Sequence, residues 1–219
     1  MKTRWKFLKL EGKTIVSNHG NTIWLIGEWQ HVDGEMKACN NGLHCSKKIY
    51  EAFSYVQGEV LAKVEVKGEH HDENDKSAYS DMRIIEAYRW TKKDSVALGI
   101  FSAELCLKEF EKLYPDDKRP REAIDAARAV LAHDTAKNRS AAGSAGSAGY
   151  AAGSAGYAAG SAGYAARSAG YAAGYAGYAA GYAAWYAAGS AGYARSAGSA
   201  AIKKIDKWFN DHLKEMEKL

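Results

Sequence analysis

Cys39, His44 and Cys45 fall within seven residues of one another, the densest group of side chains able to act as nucleophile, base or soft ligand. A structural zinc site needs four ligands, and a catalytic one needs three with an open position. No paired CxxC accompanies these residues, Cys106 falls in an apolar stretch, and His70 and His71 fall in a polar one. No metal is expected. Neighbouring residues in an extended chain point apart, so His44 and Cys45 do not make a thiol–imidazole pair by themselves. No Walker loop, GxGxxG or HExxH is present, and no cofactor is expected. Recognition is the remaining chemistry. Gly42-Leu43-His44-Cys45-Ser46 runs into a stretch carrying Tyr50, Phe53 and Tyr55. A Gly-led strand end, a His and a capped helix frame a small polar pocket, and aromatic faces offer stacking. His44, Ser46, Tyr50 and Tyr55 are therefore the candidate ligand-binding residues, and no catalytic residue is assigned. The competing reading places the aromatics in the core and His44 against a backbone carbonyl.

The elements that must position these residues follow from periodicity. Trp5 to Leu10 alternates imperfectly and ends at Glu11-Gly12, which predicts a strand and a turn. Thr22 to Trp29 is rich in β-branched and aromatic residues and predicts another strand. Val60, Ala62, Val64 and Val66 alternate with Leu61, Lys63, Glu65 and Lys67, the pattern of a half-buried strand over Gly58–Gly68. Glu69 to Ser77 is polar and predicts an exposed loop, and Met82 to Trp90 a further strand. Ser46 to Val56 suits a short helix with Ser46 as N-cap. Together these make residues 1–92 an α+β head with a small mixed β-sheet. In the connecting segment 93–139, Asp94 is the expected cap of a helix reaching Tyr114, with Leu98, Phe101 and Leu105 in its apolar stripe and Val96, Ile100, Ala103, Leu107 and Phe110 widening it. Pro120 pre-sets the first turn of the next helix, whose core face is Ile124, Ala127, Val130 and Leu131.

Residues 140–201 are written almost entirely in Ala, Gly, Ser and Tyr, with Arg167 and Arg195 as their charges. Tyrosine recurs every seventh residue at Tyr150, Tyr157 and Tyr164. An odd period opposes a strand, whose side chains alternate by two. On a helix, Gly149, Gly153, Gly156, Gly160 and Gly163 form a seam spaced four and three, as in a heptad. Such a seam lets helix backbones approach closely. Each interior Gly costs about 1 kcal/mol relative to Ala, so the helix needs a partner along its length. One long heptad-repeat helix or a helical hairpin, acting in assembly, is the expectation. Residues 202–219 read as an amphipathic helix docked on the helical part or on another copy.

The net charge of +4 is dispersed over 219 residues, with no basic block, which argues against nucleic acid. Three cysteines form no disulfide framework, and the N-terminus lacks a sustained apolar core, so a cytoplasmic setting is expected. Ala, Gly and Ser give too little transfer energy for a membrane span.

Trp5-Lys6-Phe7-Leu8-Lys9, Gly27-Glu28-Trp29, Cys39 to Ser46, Phe53-Ser54-Tyr55, Gly58 to Ala62 and Arg83-Ile84-Ile85 resemble a domain of unknown function found in small phage-encoded proteins. Asp117 to Ile124 resembles a helical family labelled as immunity proteins, whose members carry Ala-rich repeats. The first resemblance implies a host-cell setting and a role in host interaction or defence evasion. The order of Gly42 to Ser46, Tyr55 and Val60 to Val66 is also similar to ADP-ribosyltransferase-type folds, which implies Glu86 as a stand-in for the catalytic acid. No matching NAD-contacting motif occurs near Trp5 to Leu10. The expectation is a non-enzymatic accessory binding protein, oligomeric through its repeat, that captures a host protein or a small, nucleotide-like ligand. The alternatives are an ADP-ribosyltransferase-like enzyme and a structural rod or fibre component.

Overall fold

The computed structural model describes residues 1–56, 58–113, 115–138, 140 and 195–219. The Gly149–Gly163 seam and Tyr150, Tyr157 and Tyr164 lie outside the described residues. Two compact units are formed, one from Met1–Trp90 with Trp208–Leu219 and one from Thr91–Lys207.

The first unit opens with β1 (Lys2–Glu11), which turns into β2 (Thr14–Val16) and β3 (Ile23–Trp24). The single strand expected over Thr22–Trp29 is broken. Gly27 adopts φ 91°, a conformation costly for a residue with a Cβ, and the chain turns there before β4 (Trp29–His31). β5 (Leu43–Cys45) and α1 (Ile49–Tyr55) follow. Lys48, not Ser46, caps α1, and its backbone N–H donates to the Glu51 carboxylate at 3.0 Å. β6 (Val60–Asp72) and β7 (Ser77–Arg89) make one long hairpin, so most of the polar stretch expected as a loop is strand. The two arms differ there: β6 is exposed from Lys67 to Asp72, while β7 is buried from Ser77 to Ser80, with Tyr79 in the core, and the exposed His70 ring stacks on Tyr79 at 5.1 Å.

The ladders are antiparallel, in the order β3-β2-β1-β6-β7-β4, with β5 also on β7. This corrects the expected mixed sheet. One parallel bridge, Ile26 to Ile84, stands outside the named strands. β4 and β5 share one edge of β7, opposite residues 81–83 and 77–79. Ser46 then exchanges both backbone hydrogen bonds with Trp5, each 2.9 Å, which returns the end of β5 to β1. The sheet is a nearly closed barrel. Register shifts at Lys63/Val64 and Lys67/His70 supply the bends that such curling requires.

Alternation sorts β1 into two faces. Leu8 stands opposite Val60 and belongs to the main core with Trp24, Leu43, Cys45, Ala62, Val64, Tyr79 and Met82. Trp5 and Phe7 take the other face. There Phe7, Phe53 of α1 and Trp90 meet with centroids 5.3–5.5 Å apart. The cluster is completed from the far end of the chain. Phe209, in α4 (Arg195–His212), lies 6.3 Å from Phe53 and 5.8 Å from Trp90 and is 1 % exposed. Beyond the helix, Arg89 N–H donates to Glu217 O at 2.9 Å and Leu219 N–H to Ala87 O at 3.0 Å. The tail is thus a helix ending at His212 followed by a short strand-like run on β7, and its last residues dock on the β head.

In the second unit, α2 (Lys92–Leu113) and α3 (Arg119–Ala132) pack through Val96, Ile100, Ala103 and Leu107 against Ile124, Ala127 and Val130. Thr91 precedes α2, and its N–H and hydroxyl both donate to Asp94, at 2.6 and 2.5 Å, so Asp94 supports the cap from the first turn. Pro120 sits in the first turn of α3, as its fixed φ favours. Arg121 pairs with Glu111 at 2.7 Å, and Arg128 pairs with Glu104 and Asp125.

Candidate functional site

β5 sends its neighbours to opposite faces, and that separates the two residues on which the chemistry could have turned. Cys45 joins the core, 5 % exposed, and burial pushes its thiol up to about 12 despite the nearby Lys6 and Arg4 charges. It is a protonated, inert thiol. His44 turns the other way, and its Nε2 accepts the Cys39 backbone N–H at 2.8 Å. Burial, then Lys6 and Lys76, hold the imidazole below its ordinary pKa, so it is neutral at pH 7. The ring therefore fixes the loop in which Cys39 adopts φ 63°. Backbone hydrogen bonds at Lys37 and Gly42 oppose the lowering, so the ring also meets the carbonyl acceptors that the bland expectation gave it.

Lys76, from the hairpin tip, gathers the remaining exposed groups. Its Nζ lies 3.0 Å from Cys39 Sγ, 3.2 Å from Glu73 and 4.9 Å from the Tyr55 ring centroid. The sulfur and carboxylate contacts hold the ammonium protonated above its usual range. Tyr55 donates to Asp75 at 2.6 Å, and burial with that carboxylate pushes the phenol up to about 12. Among the candidate residues, Tyr55 stands at this node, and His44 is linked to it through the Cys39 backbone N–H. Ser46 is placed by barrel closure. Tyr50 donates to Glu51 at 3.3 Å, and its ring lies 5.4 Å from Lys48 Nζ. Glu86 is held by Lys218 at 2.8 Å, Tyr88 at 2.6 Å and Lys63 at 2.9 Å, which together lower its carboxyl to about 2.

Sequence reasoning missed Arg4 and Lys6. They share the face of Leu8 and stand opposite Val64 and Ala62, whose side chains are core. Lys6 is half-buried, donates from Nζ to His44 O at 2.8 Å and faces the Trp24 ring at 5.8 Å. Burial lowers its pKa to about 8. Arg4 donates to Thr3 O at 2.9 Å and to the Tyr79 hydroxyl at 3.3 Å, while its buried Nε has no acceptor. Neither cation forms an ion pair with a carboxylate among the described residues. The available signal was the imperfect alternation itself, which puts two cations on the face that Leu8 buries.

No group of three His, Cys, Asp or Glu suited to a metal occurs among the described residues. No described helix is long and apolar enough to cross a membrane.

Residues 8–93 match the model of a family described as a Domain of unknown function (DUF7666). The match begins inside β1, just past Arg4 and Lys6, and ends at the start of α2. It covers most of the β head and leaves the later helices and the docked tail outside. No curated protein and no solved structure matches the chain.

Proposed function

We propose that the chain is a non-enzymatic accessory binding protein of phage type, whose head captures a small ligand and whose Ala/Gly/Tyr repeat assembles copies in the host cytoplasm. The observation that carries the ligand reading is the pair of enclosed cations, Arg4 and Lys6, on the barrel wall beside Trp24 and Tyr79 without a carboxylate partner. Enclosed charge left unpaired is costly, and a bound molecule offsets that cost. The groups that catalysis would draw on are committed elsewhere. His44 holds a backbone N–H, Cys45 is a buried thiol, and Glu86 is engaged by three donors. This disfavours the transferase alternative.

Native mass spectrometry and light scattering of the full-length protein test the reading. An oligomer carrying a co-purified small molecule is expected. A strict monomer with nothing bound would sink both halves. A protein partner is the second reading, favoured by Ile23, Leu25 and Ile26, which expose 46–56 % of their surface close together in sequence at and just past β3. A Leu25→Asp, Ile26→Asp double variant that captures the same host proteins as wild type would dismiss it.

A further inference from the structure

Arg4 and Lys6 form half of a binding site in their own right. They are two residues apart on one strand, so their side chains leave the same face about 6.6 Å apart at the backbone. Lys6 has three N–H donors, and one is used, on His44 O. Arg4 has its Nη groups engaged and its Nε buried without an acceptor. The surroundings supply little counter-charge. Cys45 is a neutral thiol, Tyr79 a phenol and Trp24 an indole whose N–H already donates to Ser17 Oγ at 2.9 Å. Asp72 accepts from the Tyr79 hydroxyl at 3.5 Å and pairs with neither cation. The wall thus presents unmet donors, positive charge and aromatic faces, all on one side of β1. Arg4 is half-buried and follows the exposed Thr3, so it marks the end from which a ligand enters.

We propose that this end of the barrel binds a small oxyanion, the phosphate or carboxylate group of a metabolite-sized ligand. One anion oxygen accepts from Arg4 Nε and another from Lys6 Nζ, with Trp24 and Tyr79 flanking the group. Charge-assisted hydrogen bonds of this kind are about twice as strong as neutral ones. The site deepens the capture reading above and rests on it, since it says what chemistry the captured ligand carries.

The test uses the full chain and two probes, inorganic phosphate and acetate, each against chloride at matched ionic strength. Thermal unfolding is followed for wild type, Lys6→Gln and Arg4→Gln. Phosphate is also a general stabiliser through exclusion from the protein surface, and that effect appears equally in all three proteins. The site predicts an extra rise of ~3 °C or more in wild type alone at saturating probe. An extra rise with phosphate alone assigns a phosphate-bearing ligand, and with acetate alone a carboxylate. Equal shifts in all three proteins, or none, overturn the site. A second measurement needs no variant. Reductive methylation of wild-type lysines, read by peptide mass spectrometry, is slowed at Lys6 and not at Lys9 by the binding probe, and equal protection overturns the proposal. A neutral molecule found bound in the purified protein would remove the oxyanion and leave capture standing.

Discussion

Lys6 sets the pH behaviour of the head. Its pKa falls from 10.5 to about 8 on folding because burial disfavours the ammonium. A lowered lysine is a cost to folding that is fully present below pH 8, where the group is charged in both states. The unfolded chain binds more protons between pH 8 and 10.5, so stability rises with pH across that window. The cost at pH 7 is on the order of 3 kcal/mol. Cys45 works in the opposite sense above pH 9, since its thiol is held protonated to about 12. Comparison with Lys6→Met separates the two effects. The variant is expected to be the more stable protein at pH 7, with its advantage disappearing by pH 10.5. An advantage that does not change with pH would show that Lys6 is not charged in the core. The cysteines give a second residue-scale prediction. In native protein at pH 8, iodoacetamide labels Cys39, which is exposed, and spares Cys45 until denaturant is added. Peptide mass spectrometry checks it, and labelling of both at similar rates would contradict the buried, protonated thiol.

At the scale of elements, the first half of β6 was legible because Ala62, Val64 and Val66 alternate with charged residues, and the α2 and α3 faces because their apolar stripes are wide. The hairpin tip was not. From Glu69 to Lys76 both faces are polar, and strand pairing there is set by the partner arm rather than by burial. Thr22–Trp29 misled for the converse reason. Its residues favour strand, and the backbone turn at Gly27 overrides them. The candidate site was half legible. His44 and Tyr55 could be named from local composition, whereas Lys76 joins them only through the β6–β7 hairpin and Lys6 only through the face that β1 buries. Gly58 tests the closeness of that packing. A Cβ placed there would stand 2.1 Å from the Leu8 carbonyl oxygen, where β1 meets the start of β6. Gly58→Ala must push β1 from β6 or bend the chain, so a loss of ~2 kcal/mol or more is expected in urea unfolding. Gly12→Ala is the contrast, since its Cβ meets nothing within 4 Å and only its φ of 63° opposes the change. Equal losses at both positions would mean that the β1–β6 contact is looser than the geometry states.

For the whole molecule, the decisive contact joins the two ends of the sequence. The matched family region spans residues 8–93, yet the aromatic face that its Phe53 and Trp90 build with Phe7 is covered by Phe209. Arg89 pairs with Glu217 at 2.8 Å, and Lys218 with Glu86, fastening the final residues to β7. The exposed pairs contribute little individually, so the anchor is the buried ring. Phe209→Ala should cost about 3–5 kcal/mol, the usual range for emptying a buried aromatic site. Lys214→Ala, on the exposed side of the same tail, should change stability by less than ~0.5 kcal/mol. The same geometry predicts how the chain behaves when divided. A fragment of residues 1–139 keeps the whole sheet but lacks Phe209, so Phe7, Phe53 and Trp90 lose their cover and the fragment should bind a hydrophobic dye that the full chain does not. A peptide of residues 202–219, added in trans, should displace the dye and raise the fragment's melting temperature. A fragment that excludes the dye and ignores the peptide would mean that the head closes its own core and that the tail is an ornament to it.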